Sequence, residues 1–143
     1  MIPDPEKVII AALAHYMPDL VTDGVPRIHS QPPKEWAQQP FLVVRATGGG
    51  ASRHPHLFAV CYFEVEAFDA TRGGASQLAR RAGACLSKAS RQSYRYETPD
   101  EAGYLFGHRE VNAPSRVYDG LSSKHGDSAM FQGTYQISVR ALR

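Results

Sequence analysis

The run from Leu57 to Asp69 constrains the fold more than any other part of the chain. Leu57-Phe58-Ala59-Val60-Cys61-Tyr62-Phe63-Glu64-Val65-Glu66-Ala67-Phe68-Asp69 is rich in aromatic and β-branched residues. Leu57, Ala59, Cys61, Phe63, Val65 and Ala67 alternate along it and make one continuous apolar face. The other face opens apolar, with Phe58, Val60 and Tyr62, and then turns charged at Glu64 and Glu66. At ~3.3 Å per residue such a strand reaches ~40 Å, roughly twice the usual length. A small domain needs no strand of that length for its own core. The surplus surface is therefore expected to meet other copies or other proteins. Thr71-Arg72-Gly73-Gly74 breaks the strand, and the apolar period then lengthens. Ala75, Leu78, Ala79, Ala82, Cys85, Leu86 and Ala89 fall on one stripe of a helix that runs to Arg91.

Other elements follow from local chemistry. Asp4 suits a helix N-cap, Pro5 the first helical position, and Glu6 the positive end of the helix dipole. Val8, Ile9, Ala12, Leu13 and Tyr16 then form a helical stripe, which Met17-Pro18 ends. Val25-Pro26-Arg27-Ile28 reads as a short edge strand, because proline lacks the ladder donor. Residues 31–39 read as a loop with Trp36 as a packing anchor. Phe41 to Ala46 is an apolar, central strand. Thr47 to His56 is a glycine-rich hairpin tip. Glu97 to Glu101 is a turn, and Tyr104 to Val111 another strand. Residues 112–129 are polar and carry Pro114, Gly120 and Gly126, which predicts a long loop or arm. Phe131, Gly133, Tyr135, Ile137, Val139 and Ala141 alternate with polar residues in a closing strand. With no internal repeat and no boundary, the 143 residues are expected to form a single domain. Its fold class is α+β: a mainly antiparallel sheet with two helices packed on one face.

Composition excludes little beyond global disorder and a membrane span. Apolar residues make up 43% and charged residues 21%, as in soluble globular chains. A net charge of +2 does not by itself imply a nucleic-acid partner. Cys61 and Cys85 fall on apolar faces and read as small buried hydrophobes, not a disulfide. No signal peptide and no transmembrane helix are expected.

The candidate chemistry is thin. Gly48-Gly49-Gly50 leads into a strand and lacks the Lys-Ser/Thr of a phosphate loop. His54 and His56 make a His-x-His pair that His29 could approach in space, and a zinc site still needs a third ligand and supporting partners. Glu64 and Glu66 share a strand face ~7 Å apart, a spacing that any same-face pair has, and a solvated or subunit-facing role is expected for them. No nucleophile elbow appears. No cofactor, no metal and no enzymatic activity are expected. Charge is nevertheless uneven. Arg72, Arg80, Arg81, Lys88, Arg91 and Arg95 occur between Ala70 and Tyr96 without one acid. The second helix is thus apolar on one side and basic elsewhere, fit for a solvated face, an acidic partner or a nucleic-acid backbone.

The order of these elements resembles the tail-terminator proteins of long-tailed bacteriophages, also called minor tail or tail-completion proteins. The resemblance rests on the helix through Val8 to Tyr16, Val25-Pro26-Arg27-Ile28, and Pro40-Phe41-Leu42-Val43-Val44-Arg45 with its glycine-rich turn. It continues through the long strand ending Glu64-Val65-Glu66-Ala67-Phe68, the alanine-rich helix, and Phe131-Gln132-Gly133-Thr134-Tyr135-Gln136-Ile137-Ser138-Val139-Arg140. It implies a non-enzymatic virion protein of the tail neck, made in the host cytoplasm. Such a protein forms a homo-oligomeric ring, typically a hexamer, on the head-proximal end of the tail tube. Its partners would be the major tail tube protein and the head-completion or connector proteins. Genomic DNA would pass through the lumen without sequence-specific binding.

On that reading Phe58, Val60 and Tyr62 supply one apolar contact. Arg72, Arg80, Arg81 and Lys88 supply electrostatic ones, and Arg116 and Tyr118 contribute from the arm. A head-completion or neck connector would differ only in its place in the stack. Two readings from other classes are a small nucleic-acid-binding module using the basic helix 72–91, and a small hydrolase or metal enzyme around His54, His56 and the two glutamates.

Overall fold

A computed structural model describes residues 2–31, 40–47, 58–116 and 129–142. The order of elements is α1 (Pro5–Tyr16), a 3-10 turn (Pro18–Leu20), β1 (Val21–Thr22), β2 (Val25–Pro26), β3 (Ile28–His29), β4 (Phe41–Thr47), β5 (Phe58–Asp69), α2 (Arg72–Arg91), β6 (Arg95–Glu97), β7 (Ala102–Arg116) and β8 (Ala129–Ala141). The main sheet has the strand order β3-β4-β5-β8-β7-β6. Among the described residues only the β3–β4 pair is parallel. Both helices pack on one face of it, so the fold is α+β.

The helices start where their caps place them. Asp4 Oδ1 accepts the Glu6 N–H at 3.0 Å, with Pro5 at the first helical position. Thr71 Oγ1 accepts the Gly74 N–H at 3.0 Å, so α2 begins at Arg72, inside the segment expected to be a break. Val8, Ile9, Ala12 and Leu13 of α1 and Ala75, Leu78, Ala79, Ala82, Leu86 and Ala89 of α2 are buried. They meet Leu42, Val44, Phe63, Val65, Ala67, Leu105, Tyr135, Ile137 and Val139 on the inner face of the sheet. Cys61 and Cys85 pack half-buried against this core as free thiols.

Four sequence expectations need correction. The 25–28 segment is two elements. Val25–Pro26 pairs with Val21–Thr22 around Asp23–Gly24, whose φ of 52° and 77° are those of a tight hairpin turn. Ile28–His29 alone joins the main sheet. Arg95–Glu97 is a strand that the basic run concealed. Residues 112–116 are strand, not loop: Asn112, Ser115 and Arg116 pair with Thr134, Gln132 and Phe131. Pro114 is tolerated because, beyond Tyr104, no described strand lies on the outer edge of β7. Glu66 is not solvated. It is 4% exposed and its Oε1 meets Arg45 Nε at 3.3 Å. Trp36, the triglycine, His54, His56 and Tyr118 lie outside the described residues.

Gly107 sets the course of β7. Phe106 faces Ser138 and Arg109 faces Gln136, so Gly107 and His108 together stand opposite Ile137. Gly107 adopts φ +67°, the left-handed conformation this kind of bulge requires. The extra residue returns Arg109 to the outer face. Two more irregularities follow, between Glu110 and Asn112 and between Asn112 and Ser115.

Candidate interaction surface

Pairing partners on neighbouring strands share a face, so the register maps the outer face of the sheet row by row. At one end Phe41, Phe68 and Met130 are buried together with Val43, and the Phe41 and Phe68 rings stack at 4.7 Å. The next rows hold the Arg45–Glu66 ion pair and half-buried Glu64. The other end is different. Tyr62, Val60 and Phe58 are all half-buried, on the face opposite both helices. Beside them across β8 stand Tyr104 and Phe106 of β7. The Phe106 ring lies 6.1 Å from Phe58, edge to face, and 6.1 Å from Tyr104. Among the described residues this is a half-open aromatic band on a sheet face with no helix over it.

The outer half of β7 is a second unusual surface. From Arg109 to Ala113 every residue is exposed, whichever way it points. Val111 is 39% exposed. Arg116 ends this ribbon, also exposed.

The basic residues of α2 do not join the aromatic band, because the helix lies across the sheet from it. They also differ among themselves. Arg81 donates to Asp19 Oδ1 at 2.7 Å, and Lys88 Nζ sits 5.4 Å above the Tyr16 ring. Both are thus turned to their own chain. Arg72 and Arg80 are exposed, with Arg80 Nε donating to the Ser76 carbonyl at 3.4 Å. The structure therefore gathers Phe58, Val60 and Tyr62, and separates them from the cations expected to work with them. Tyr104, Phe106 and Arg140, which the sequence reading did not single out, are the residues beside them, and Arg95 of the basic run ends the row beyond Tyr104.

No protein-family model matches this chain. No curated protein matches it. Among solved structures, a chain of the "Virion of native gene transfer agent (GTA) particle" shares 14% identity with it at a TM-score of 0.48. The alignment covers 95% of this chain and 87% of that one. A likeness at that level defines neither the fold nor the role of this chain.

Burial is the first cause of the shifts at three ionisable groups of the sheet. No three His, Cys, Asp or Glu side chains among them group as a metal site. Burial holds the His29 imidazole below its ordinary range. Burial does the same at His108, where Glu110 pulls upward and Arg91 downward. The His108 ring lies 5.6 Å from that of Tyr135, and its Nε2 is buried without a hydrogen-bond partner. Burial, with Glu110 adding to it, pushes the Tyr135 hydroxyl up to about 12.

Asp19 gives a pH-dependent expectation. The hydrogen bond from Arg81 is the main cause that holds its carboxyl below the usual range, with burial opposing. A carboxylate lowered in the fold stabilises above its unfolded-state pKa, and that contribution is lost as the pH falls through the folded value. The side chains are 44% and 54% exposed, so the pair contributes below about 1 kcal/mol. Asp19→Asn should lower Tm by at most about 3 °C at neutral pH. It should change nothing once the carboxylate is protonated in both states, as paired melting curves would show.

Proposed function

We propose that this chain is a structural, non-enzymatic protein of a phage-like virion. In that role it forms a ring, with six subunits as the expected number, that caps the head-proximal end of the tail tube and offers a surface to the head-completion proteins. One observation carries this reading. The sheet is longer than its core: β5, β7 and β8 run 12, 15 and 13 residues, and the outer half of β7 is exposed on both faces. A monomer gains nothing from ordering exposed strand, since each residue fixed costs about 1–2 kcal/mol of backbone entropy. Contact with neighbouring subunits would repay that ordering. The element order resembles the tail terminators and supports the same reading.

The mechanism is geometric. In a closed ring one patch of each subunit fits a different patch of the next. The half-buried band at Phe58, Val60 and Tyr62 is the apolar patch, and the β7 ribbon with Arg116 is the extended one. Exposed Arg72 and Arg80 on the helix layer are left for a partner or the lumen.

The test is tube length. Tail tube protein is allowed to polymerise with and without this chain, and products are sized by electron microscopy. Short tubes with a ring at one end are expected. Tubes of unchanged length, with no ring bound, would remove the terminator reading. Binding to a portal or its adaptor in place of tubes would move the protein to the head side of the neck.

A further inference from the structure

One corner of the outer sheet face has a chemistry that ring closure does not use. Arg140 of β8 stands directly opposite Tyr104 of β7, and Arg95 of β6 stands opposite the same tyrosine on its other side. All three therefore share one face and one row, as cation, aromatic ring, cation. Phe58 continues the row beyond Arg140. Phe106 lies two residues along β7, with its ring 6.1 Å from that of Tyr104. Arg109 follows on the same face, opposite Gln136. Arg95, Arg109 and Arg140 are exposed, and Tyr104 and Phe106 are half-buried. An open depression of about 290 Å³ adjoins the row, lined by Ser93, Arg95, Tyr104 and Leu142.

Among the described residues, cations outnumber acids in this corner. Among the described residues, the three rows through Tyr104, Phe106 and Arg109 hold no acid on the outer face. Glu97 bounds the corner on the turn side, two residues from Arg95. Three exposed guanidiniums around two aromatic rings complement a polyanion that also presents flat π-faces. We propose that this corner binds single-stranded nucleic acid without sequence preference, with bases stacking on Tyr104 and Phe106 and phosphates held by Arg95, Arg140 and Arg109.

The physics of each part fits. Same-face residues two apart on a strand are ~6.7 Å apart, so Tyr104 and Phe106 offer successive platforms along one line. Stacking tolerates any base, because every base has a π-face. Arginine holds phosphate through a planar fork and can also lie flat on a ring or base. The two stacking rings, on β7, lie two strands from Val60 and Tyr62 on β5, or ~10 Å, and Arg95 on β6 lies three strands away, or ~14 Å. The nucleic-acid corner therefore borders the ring patch at Phe58 and Arg140 and is centred on β7.

The experiment is fluorescence anisotropy of the full chain with labelled oligothymidylate of about 12 nucleotides, over a salt series, with a poly-glutamate peptide as a second polyanion. Three phosphates engaged on a single strand predict a log–log salt slope near −2, or about a 20-fold loss of affinity between 50 and 200 mM salt. Tyr104→Ala should lower affinity at least about fivefold, and Tyr104→Phe should retain it. Arg140→Gln should flatten the salt slope by about 0.7. Arg140 is exposed, so that variant tests the site even if Tyr104→Ala does not fold. No binding at 50 mM salt would overturn the proposal. So would equal affinity for poly-glutamate, or binding lost in Arg72→Gln with Arg80→Gln and kept in Arg140→Gln, which places it on α2. Self-association abolished by Tyr104→Ala, in a chain that leaves the oligonucleotide free, would assign the row to a second copy instead.

Discussion

Val60→Asp combined with Tyr62→Asp is expected to leave a folded monomer that no longer caps tail tubes. Both side chains are half-buried on the outer face of β5, away from the core that Phe63, Val65 and Ala67 build beneath the helices. The cost to the monomer is limited to lost strand propensity, on the order of 1 kcal/mol, and to repulsion from Glu64, the next residue along the same face. The cost to a contact that buries this band is far greater. Two carboxylates would be taken out of water with no partner, at several kcal/mol each. A ring repeats that penalty at each interface, so assembly should fail outright. Light scattering should give a monomer mass, circular dichroism an unchanged spectrum, and tubes the length distribution seen without the protein. Normal capping by this variant would remove the β5 band from the assembly surface. An unfolded variant would instead show that the band belongs to the core, and the milder Tyr62→Ser would then be the comparison.

The sequence made the helices and long strands legible because their signals are local. Asp4 and Pro5 set the start of α1 by capping geometry, and the alanine-rich stripe of α2 has one period and one partner face. What it did not show depends on neighbours across strands. Glu64 and Glu66 look equivalent along β5, yet Arg45 on β4 makes Glu66 a buried ion-pair partner and leaves Glu64 half-buried. Pro114, Asn112 and Ser115 carry loop composition because the strand they form is an exposed edge, which has no core face to keep apolar. Arg81 and Lys88 look like members of a free basic band, and it is Asp19 and Tyr16, far away in sequence, that engage them. The aromatic and arginine row has the same character. Tyr104, Phe106, Arg140 and Arg95 lie on three different strands, so no motif connects them. The one local hint was the alternation Tyr104-Leu105-Phe106, whose outer members are both aromatic. Asp23–Gly24 is the opposite case, a dipeptide that signals a hairpin turn on its own, two residues before the edge-strand signal of Pro26.

Gly83→Ala should destabilise the protein alone and stabilise it when Tyr135 is phenylalanine. Tyr135 is 1% exposed, and its hydroxyl lies between two glycines. A Cβ on Gly83 would come within 2.7 Å of it, and one on Gly133 within 2.6 Å. The phenol is thus wedged between α2 and β8, and, being buried, it cannot swing aside as a surface side chain would. Adding a methyl group into such a packed site costs about 1–3 kcal/mol. Gly83 lies inside a helix, so alanine there also returns about 1 kcal/mol of helix propensity. With the hydroxyl present the clash wins. With Tyr135→Phe the nearest ring atoms are 3.3 and 3.4 Å from the new Cβ, a tight contact that a small shift relieves, and the propensity gain remains. Gly133→Ala should behave differently. Its Cβ would still stand 3.0 and 3.1 Å from the Tyr135 ring, and a strand offers no helical compensation, so the phenylalanine should rescue it only in part. Urea unfolding of the four proteins of each cycle reads these couplings directly, and cancels whatever Tyr135→Phe costs by itself. If Gly83→Ala and Tyr135→Phe add within about 0.5 kcal/mol, the hydroxyl is not what holds the helix to its distance from the sheet.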